Sequence, residues 1–485
     1  VRSPSVPAIL LLALAVAPAR GRGAEAEQLA RLVEKEWADG KFPSLSAAVV
    51  GKDGPLAIRA FGVADRKAGR AATPETLYRI ASVTKPFTAT LLVLLRDRGV
   101  VGLDDPVARH LPAGLRLPVD PRGAPAITLR HLATHASGLP RVPPNLAPRG
   151  RDLYGGYTLE ALYAGLAALE LEAPVGARYA YSNLGYGLLG HALERAAGEP
   201  YETLIRKLLA EPLGMKDTTV TLSDRQRSAL AIGYEGDGSS SEAEPWDLGC
   251  LAPAGGLVSS AADLARWVAL ELRAGEPGLE PIAGGSLAET QTPQRLLDGW
   301  DGAVGLGWHI RRGRGPSGDI ASHDGHVAGF RSYVGFSPSR RVGVVLLANC
   351  EQDLAPAGRR IIDEAARSFG VEPRANLDPR LDGVAASLSR GFASPVPEGL
   401  AALFHAQFLA ECPADRVAAV LREAHAAYGS CDRFELGPAR GQEPGPRRAT
   451  IQFRFANEKA VRCDVEIDRG GKIVYLFFPP WKEGS

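Results

Sequence analysis

The sequence predicts an α+β protein made of a large N-terminal unit and a smaller α+β unit appended at its C-terminus. Strand-like runs open the large unit and return at its end, with a mostly helical stretch between them. Beyond a break in periodicity, two amphipathic helical stretches and three strand-like runs complete the chain. The 485 residues are 45% hydrophobic and 23% charged, enough for more than one sizeable core. The formal net charge is +1 and there is no long basic run. Such a chain offers no general field for nucleic acid or an anionic membrane, so neither is an expected partner.

Taken in order, Arg2 precedes an apolar run from Ala8 to Ala17 and a small-residue stretch to Ala24. That pattern predicts an export signal over 1–24; the run is too short to span a bilayer, and no later segment approaches that length. The expected location is therefore periplasmic or secreted. Alternation in Leu45–Val50 and Ala57–Phe61 predicts a hairpin turned by Lys52-Asp53-Gly54. Thr76–Ala81 reads as a short extended segment, followed by a helix carrying Phe87, Leu91, Leu94 and Leu95 at helical spacing. The Pro- and Gly-rich loop from Arg141 to Gly155 is placed to border a cleft. Ser260-Ala261-Ala262-Asp263 reads as a capping box for a helix through Trp267. Strand runs return at Ser332–Phe336 and Val342–Leu347.

Glu-Pro-Arg and Asp-Pro-Arg near Val371–Asp382 mark a boundary. The expected division is a large unit over 25–370, a linker over 371–385 and a small α+β unit over 386–485. In the last, Leu400, Leu403, Phe404 and Phe408 share one helix face, and Val417, Val420, Leu421 and Tyr428 another. Strands follow at Thr450–Phe455, Ala460–Ile467 and Lys472–Phe478. Cys412, Cys431 and Cys463 cluster there, and in an exported protein one disulfide among them is expected, with the pair left open. Cys250 and Cys350 read as buried small apolar residues.

Chemistry concentrates in Ser82-Val83-Thr84-Lys85, the one S-x-x-K of the chain. Residues three apart share a helix face, so the Lys85 amine can reach the Ser82 hydroxyl. A helix N-terminus also brings free N–H groups and partial positive charge beside the serine. Most of the 56 basic residues are arginine, and no lysine occurs between Lys85 and Lys207. Arginine keeps its proton, whereas a desolvated lysine can lose one and act as a base. Tyr181-Ser182-Asn183 is the one Y-x-N among 12 tyrosines, and His323-Asp324-Gly325 the one H-x-G among 9 histidines. Penicillin-recognising serine hydrolases carry S-x-x-K, Y-x-N or S-x-N, and K-T-G or a variant in this order.

Further stretches join these motifs: Gly99–Val107, Ile127–Pro140, Tyr181–Gly190, Pro212–Met215, Ala254–Leu257, Gly305–Trp308 and His323–Asn349. Over roughly residues 40–350 the chain resembles the serine β-lactamase-related family. Class C β-lactamases, D-alanyl-D-alanine carboxypeptidases, D-aminopeptidases and family VIII esterases belong to it. The resemblance implies a β-lactamase/transpeptidase-like fold, an antiparallel sheet flanked by helices with an all-helical subdomain and a cleft between them. It implies Ser82 as nucleophile, Lys85 as the group that deprotonates it, and Tyr181 as partner base and then acid to the leaving group. Asn183 would bind the acyl side of the substrate. The N–H groups of Ser82 and His326 would hold the oxyanion, and Gly325 would let substrate approach the strand. No cofactor and no metal are implied. The C-terminal unit resembles the NTF2-like fold appended to some members.

The departure from the family is His323 and Asp324 in place of the lysine and threonine of K-T-G. A mostly neutral imidazole is a weak anion site at pH 7, and an Asp324 facing the cleft would repel a substrate carboxylate. The expected activity is therefore hydrolysis of a small ester, peptide or cell-wall-type substrate of low acidity. Carboxypeptidase or weak β-lactamase action is the alternative. A low-turnover binding protein on the same fold, or a cell-wall scaffold acting through the C-terminal unit, are the readings from other classes. The oligomeric state is not legible. Gly313–Gly318 matches G-x-G-x-x-G but contains Pro316 and precedes no helix, so it reads as a loop. His131 and His135 have zinc-pair spacing without the intervening glutamate. His326 and Asp324 suggest a Ser–His–Asp triad with Ser82, but the chain has no G-x-S-x-G elbow and Lys85 with Tyr181 already supplies a base, so the triad is not the expected reading. Asp104 and Asp105, directly before Pro106, read as loop and helix-start residues.

Overall fold

A computed structural model describes residues 23–40, 42–119, 126–238, 241–297, 302–311, 313, 315–369, 384, 388, 400–428, 431–436, 447–455, 460–468 and 472–477. The export-signal run and the 371–382 boundary lie outside the described residues.

The large unit is built on β1 (Ser44–Gly51), β2 (Gly54–Asp65), β3 (Arg70–Ala71), β4 (Tyr78–Arg79), β5 (Val258–Ser259), β6 (Arg295–Leu296), β7 (Gly302–Val304), β8 (His309–Arg311), β9 (Ile320–Val327), β10 (Phe330–Ser337) and β11 (Val342–Ala348). Nine of these form one sheet in the order β3-β2-β1-β11-β10-β9-β8-β7-β6, antiparallel throughout. The β1–β2 hairpin turns at Lys52-Asp53, as expected, with Gly54 at φ +128. Side chains alternate across the sheet. Leu45, Ala47, Val49, Val344 and Leu346 pack on one face with Leu29 and Ile361 from helices Gly23–Gly40 and Ala355–Ser368. Ala48, Val50, Val345 and Leu347 face the other way, toward Phe87, Trp267 and Trp308. The Phe87 and Trp267 rings stack at 3.8 Å.

Between β4 and β5 the chain is helical, as the sequence implies. Helix Thr84–Asp97 differs from its expected amphipathic form: every residue from Thr84 to Leu95 is buried. It runs through the interior, because helices Asn183–Ala197 and Ala252–Gly255 cover the side turned from the sheet. Ser260 caps helix Ala261–Glu271 by accepting from the Asp263 N–H. The reciprocal half of the expected box is missing, since Asp263 Oδ2 accepts from the Asp217 N–H and the Thr218 hydroxyl instead.

The C-terminal unit has helices Ala406–Glu411 and Ala414–Tyr428 and an antiparallel sheet of β12 (Cys431–Leu436), β13 (Arg447–Phe455), β14 (Ala460–Ile467) and β15 (Ile473–Phe477). β12 was not expected, because its polar Asp432, Arg433 and Glu435 obscure the pattern. The first helix is also broken: Leu400–Leu403 is a separate single turn. Phe404, Phe408, Val417, Leu421, Ile451 and Val465 share a core with Ala303 and Ile310 of the large sheet. The two units therefore pack directly, and Arg295 pairs with Glu411 across the junction at 2.6 Å. The disulfide expectation is corrected: no disulfide forms among the five cysteines. Cys412 and Cys463 serve as buried apolar packing, and Cys250 is only partly buried.

Candidate active site

Ser82 lies in a single 3₁₀ turn, Ala81–Val83, that leads into helix Thr84–Asp97. Ala81 holds φ +47, a left-handed conformation that is strained for a residue with a Cβ. The turn is clamped from outside. Ser332 Oγ on β10 donates to the Ile80 carbonyl at 2.7 Å, and the Val83 N–H bonds back to the same carbonyl at 3.1 Å. A Cβ on Gly325 would stand 2.4 Å from the Ile80 carbonyl oxygen and 2.2 Å from Ser332 Oγ. Gly325 thus lets β9 lie against the nucleophile-bearing segment, a different reason from the substrate approach that the sequence suggested.

Lys85 is fully buried. Its Nζ is 2.6 Å from the Ala254 carbonyl oxygen, 2.9 Å from Asn183 Oδ1 and 3.1 Å from Ser82 Oγ. Burial, seconded by the Arg141 guanidinium, pushes the amine well below the usual lysine range, and Asp324 opposes that shift. A neutral amine has two N–H donors and one lone pair. The carbonyl oxygens of Ala254 and Asn183 can only accept, so the lone pair is left for the Ser82 hydroxyl proton. Asn183 Nδ2 donates to the Tyr154 hydroxyl at 2.9 Å, which fixes the amide with its oxygen toward Lys85.

The Tyr181 hydroxyl donates to Ser82 Oγ at 2.8 Å. Burial pushes this phenol far up, so it is protonated at neutral pH. Its ring stacks on His135 at 4.4 Å, and the Arg141 guanidinium lies 4.9 Å from its centroid. His135 accepts the Ser182 N–H on Nδ1 at 3.0 Å. It is outside helix Leu129–Ala133, at φ +54, while His131 is spent on a reciprocal cap with Thr128. The i, i+4 spacing of the two histidines therefore does not make a metal pair.

His323 is buried, and burial, with His309 and Lys85 nearby, drives its imidazole well below the usual range. Its Nδ1 lies 2.7 Å from the Asp324 carbonyl oxygen. It is a neutral ring, as expected, and no anion site. Asp324 is exposed, with its carboxylate in the same cluster as ring nitrogens of His309 and His323. Among the described residues β8 pairs with β9 only at Ile320–Ser322, and no strand is paired to His323–Val327 on that side. His326 is on this segment, half exposed, 3.6 Å from Glu351 Oε1. Arg141 and Tyr154 come from the Arg141–Gly155 loop expected to border the cleft, whereas spacing offered no sign of Tyr179 or His309. A cation, two partly buried phenols and imidazoles near one serine are groups able to polarise and attack a carbonyl carbon.

A family model described as beta-lactamase matches residues 29–367. The chain is 34% identical over 281 residues to the D-alanyl-D-alanine-carboxypeptidase/endopeptidase AmpH of Escherichia coli, covering 56% of this chain and 71% of that one. It is 36% identical over 194 residues to the esterase EstB of Burkholderia gladioli, covering 38% and 49%. Among solved structures, a β-lactamase/D-alanine carboxypeptidase from Yersinia pestis superposes with a TM-score of 0.61 at 28% identity, covering 71% of this chain and 99% of that one.

Proposed function

The chain belongs to the β-lactamase family of serine-hydrolase-type enzymes, and on that footing we propose that it cleaves ester or amide bonds through an acyl-enzyme on Ser82. The observation that carries the reading is Ser82 Oγ placed between Lys85 Nζ at 3.1 Å and Tyr181 Oη at 2.8 Å. Neutral Lys85 takes the Ser82 proton as Oγ attacks the carbonyl carbon. The N–H groups of Ser82 and His326 hold the oxyanion, and Asn183 orients the acyl side. The leaving oxygen or nitrogen takes the Tyr181 proton, which protonated Lys85 then restores. Water enters by the reverse route and frees the acid. General-base help contributes ~10²–10⁴-fold, and each oxyanion donor a further ~10²–10³-fold.

For substrate, neutral His323 and the exposed Asp324 carboxylate favour esters and D-amino-acid peptides of low acidity over penicillin-like anions. A second reading, D-alanyl-D-alanine carboxypeptidase, is favoured by one feature: the Arg141 guanidinium beside Tyr181 is a cation suited to a terminal carboxylate. Among the described residues no helix is long and apolar enough to cross a membrane. We place the export signal at 1–24, the hydrolase at 25–370, a linker at 371–385 and an NTF2-like unit at 386–485.

The test is hydrolysis of a short-chain p-nitrophenyl ester by the wild type and by Ser82→Ala. Activity lost in the mutant supports the nucleophile. Equal activity in both removes the proposed site, and an inactive wild type moves the reading to a narrow peptidase or a binding protein.

A further inference from the structure

We propose that His309, His323 and Asp324 form a binding site for one divalent cation of the zinc class in the wall of the catalytic cleft. One ring nitrogen of each histidine and one carboxylate oxygen of Asp324 all lie within 4.8 Å of one another. Ligand atoms about 2 Å from a tetrahedral zinc are ~3.3 Å apart, so the cluster needs only small side-chain rotations to close. Two imidazoles and a carboxylate are a donor set that suits zinc and leaves its fourth position open.

A second observation points to a ligand. The His323 ring is buried, and its Nδ1–H is committed to the Asp324 carbonyl at 2.7 Å. Its Nε2, the nitrogen left with a lone pair, is buried without a hydrogen-bond partner among the described residues. A buried polar atom left unpaired is costly, and a cation bound there would remove the cost. The Nδ1–carbonyl bond is also the outer-shell contact that orients a metal-binding histidine and sets its tautomer. Tyr179 does the same for the second ring, its hydroxyl lying 2.9 Å from His309 Nε2. Burial keeps both rings in the neutral form that ligates. Lys85 and Arg141 are the cations that oppose a bound metal. Of these Lys85 is held toward its neutral form, and Asp324 supplies the compensating charge.

The consequence for turnover rests on the acyl-enzyme reading. The His323 and His309 rings stand 6.2 and 6.3 Å from the Tyr181 ring, so a cation between them narrows the cleft beside the general acid. Zinc would then act as a reversible inhibitor of ester hydrolysis.

Binding is measured without reference to activity. Chelator-stripped protein is titrated with zinc chloride against a chromophoric chelator, and with cobalt(II) for its ligand-field spectrum. We expect one equivalent bound, with cobalt bands of nitrogen and oxygen ligands and no thiolate charge-transfer band. His309→Ala and the surface substitution Asp324→Asn should each weaken binding by about 10–100-fold or more, with unchanged circular dichroism. No binding by the wild type, a thiolate band from the free cysteines, or unchanged affinity in a folded Asp324→Asn would each overturn the site. Failure of ester hydrolysis in the wild type would instead touch only the reading of turnover, because the titration stands without it.

Discussion

The Tyr181 hydroxyl donates to Ser82 Oγ at 2.8 Å, and burial keeps that phenol protonated, so tyrosine faces the nucleophile as an acid in the resting protein. In the proposed mechanism the base is Lys85, whose amine the same burial pushes toward neutrality. Burial thus drives the two groups in opposite directions, which is the basis for the proposed division of acid and base roles between them.

Lys85→Ala should lower kcat/KM for a p-nitrophenyl ester by ~10²–10⁴-fold, the usual worth of a general base. Tyr181→Phe should act mainly on substrates with poor leaving groups, such as amides, because a nitrophenolate needs little acid help. Steady-state rates on both substrate types check this. Equal losses on ester and amide in Tyr181→Phe would count against the acid role.

On the proposed mechanism acylation requires unprotonated Lys85, so kcat/KM should rise with pH through a lysine value well below the ordinary one. Arg141 lowers that value and Asp324 raises it. Arg141→Ala should therefore move the acid limb of the pH profile upward, and Asp324→Asn should move it downward. Rate profiles of the three proteins decide the matter, and shifts of the reverse sign would remove Lys85 as the titrating base.

Gly325→Ala would place a methyl group 2.4 Å from the Ile80 carbonyl oxygen. Strand β9 must then withdraw from the nucleophile turn, and kcat should fall by ~10²-fold or more as an oxyanion donor moves away. Retained wild-type kcat in a folded variant would show that β9 does not supply that donor.

Glu271 is fully buried, and desolvation raises its carboxyl to about 8. Gln291 Nε2 donates to Oε2 at 2.7 Å, and the Trp267 indole is the other polar group facing the carboxyl. A folded value raised above the unfolded one contributes stability in full below the ordinary carboxylate range, and loses it as pH climbs toward 8. Glu271→Gln should thus raise the melting temperature at pH 8 by an amount worth roughly 1–3 kcal/mol, and change little at pH 4. Thermal melts at the two pH values test it; a gain confined to acid pH would contradict the buried neutral carboxyl.

Much of the fold was legible because its signals are short-range. The β1–β2 hairpin, the returning strands β10 and β11 and the Ser260 cap each depend on residues within a few positions of one another. The failures share another cause. β12 hid because polar residues fill it. The interior course of helix Thr84–Asp97 was invisible, since what covers its outer face comes from Asn183–Ala197 and Ala252–Gly255.

The site divides along the same line. Ser82 and Lys85 could be paired from sequence, since three residues along a helix bring side chains to one face whatever surrounds them. Tyr181, Asn183, His323 and Gly325 were picked out by motif, but what they touch was decided by tertiary structure. Asn183 holds Lys85, Gly325 makes room for the Ile80 carbonyl, the loop expected at the cleft brings in Arg141 and Tyr154, and His309 arrives unannounced. The acid and base assignment belongs to the fold as well. Hydrogen-bond spacing along a helix is a local property, whereas desolvation sums over every group that excludes water from the amine and the phenol.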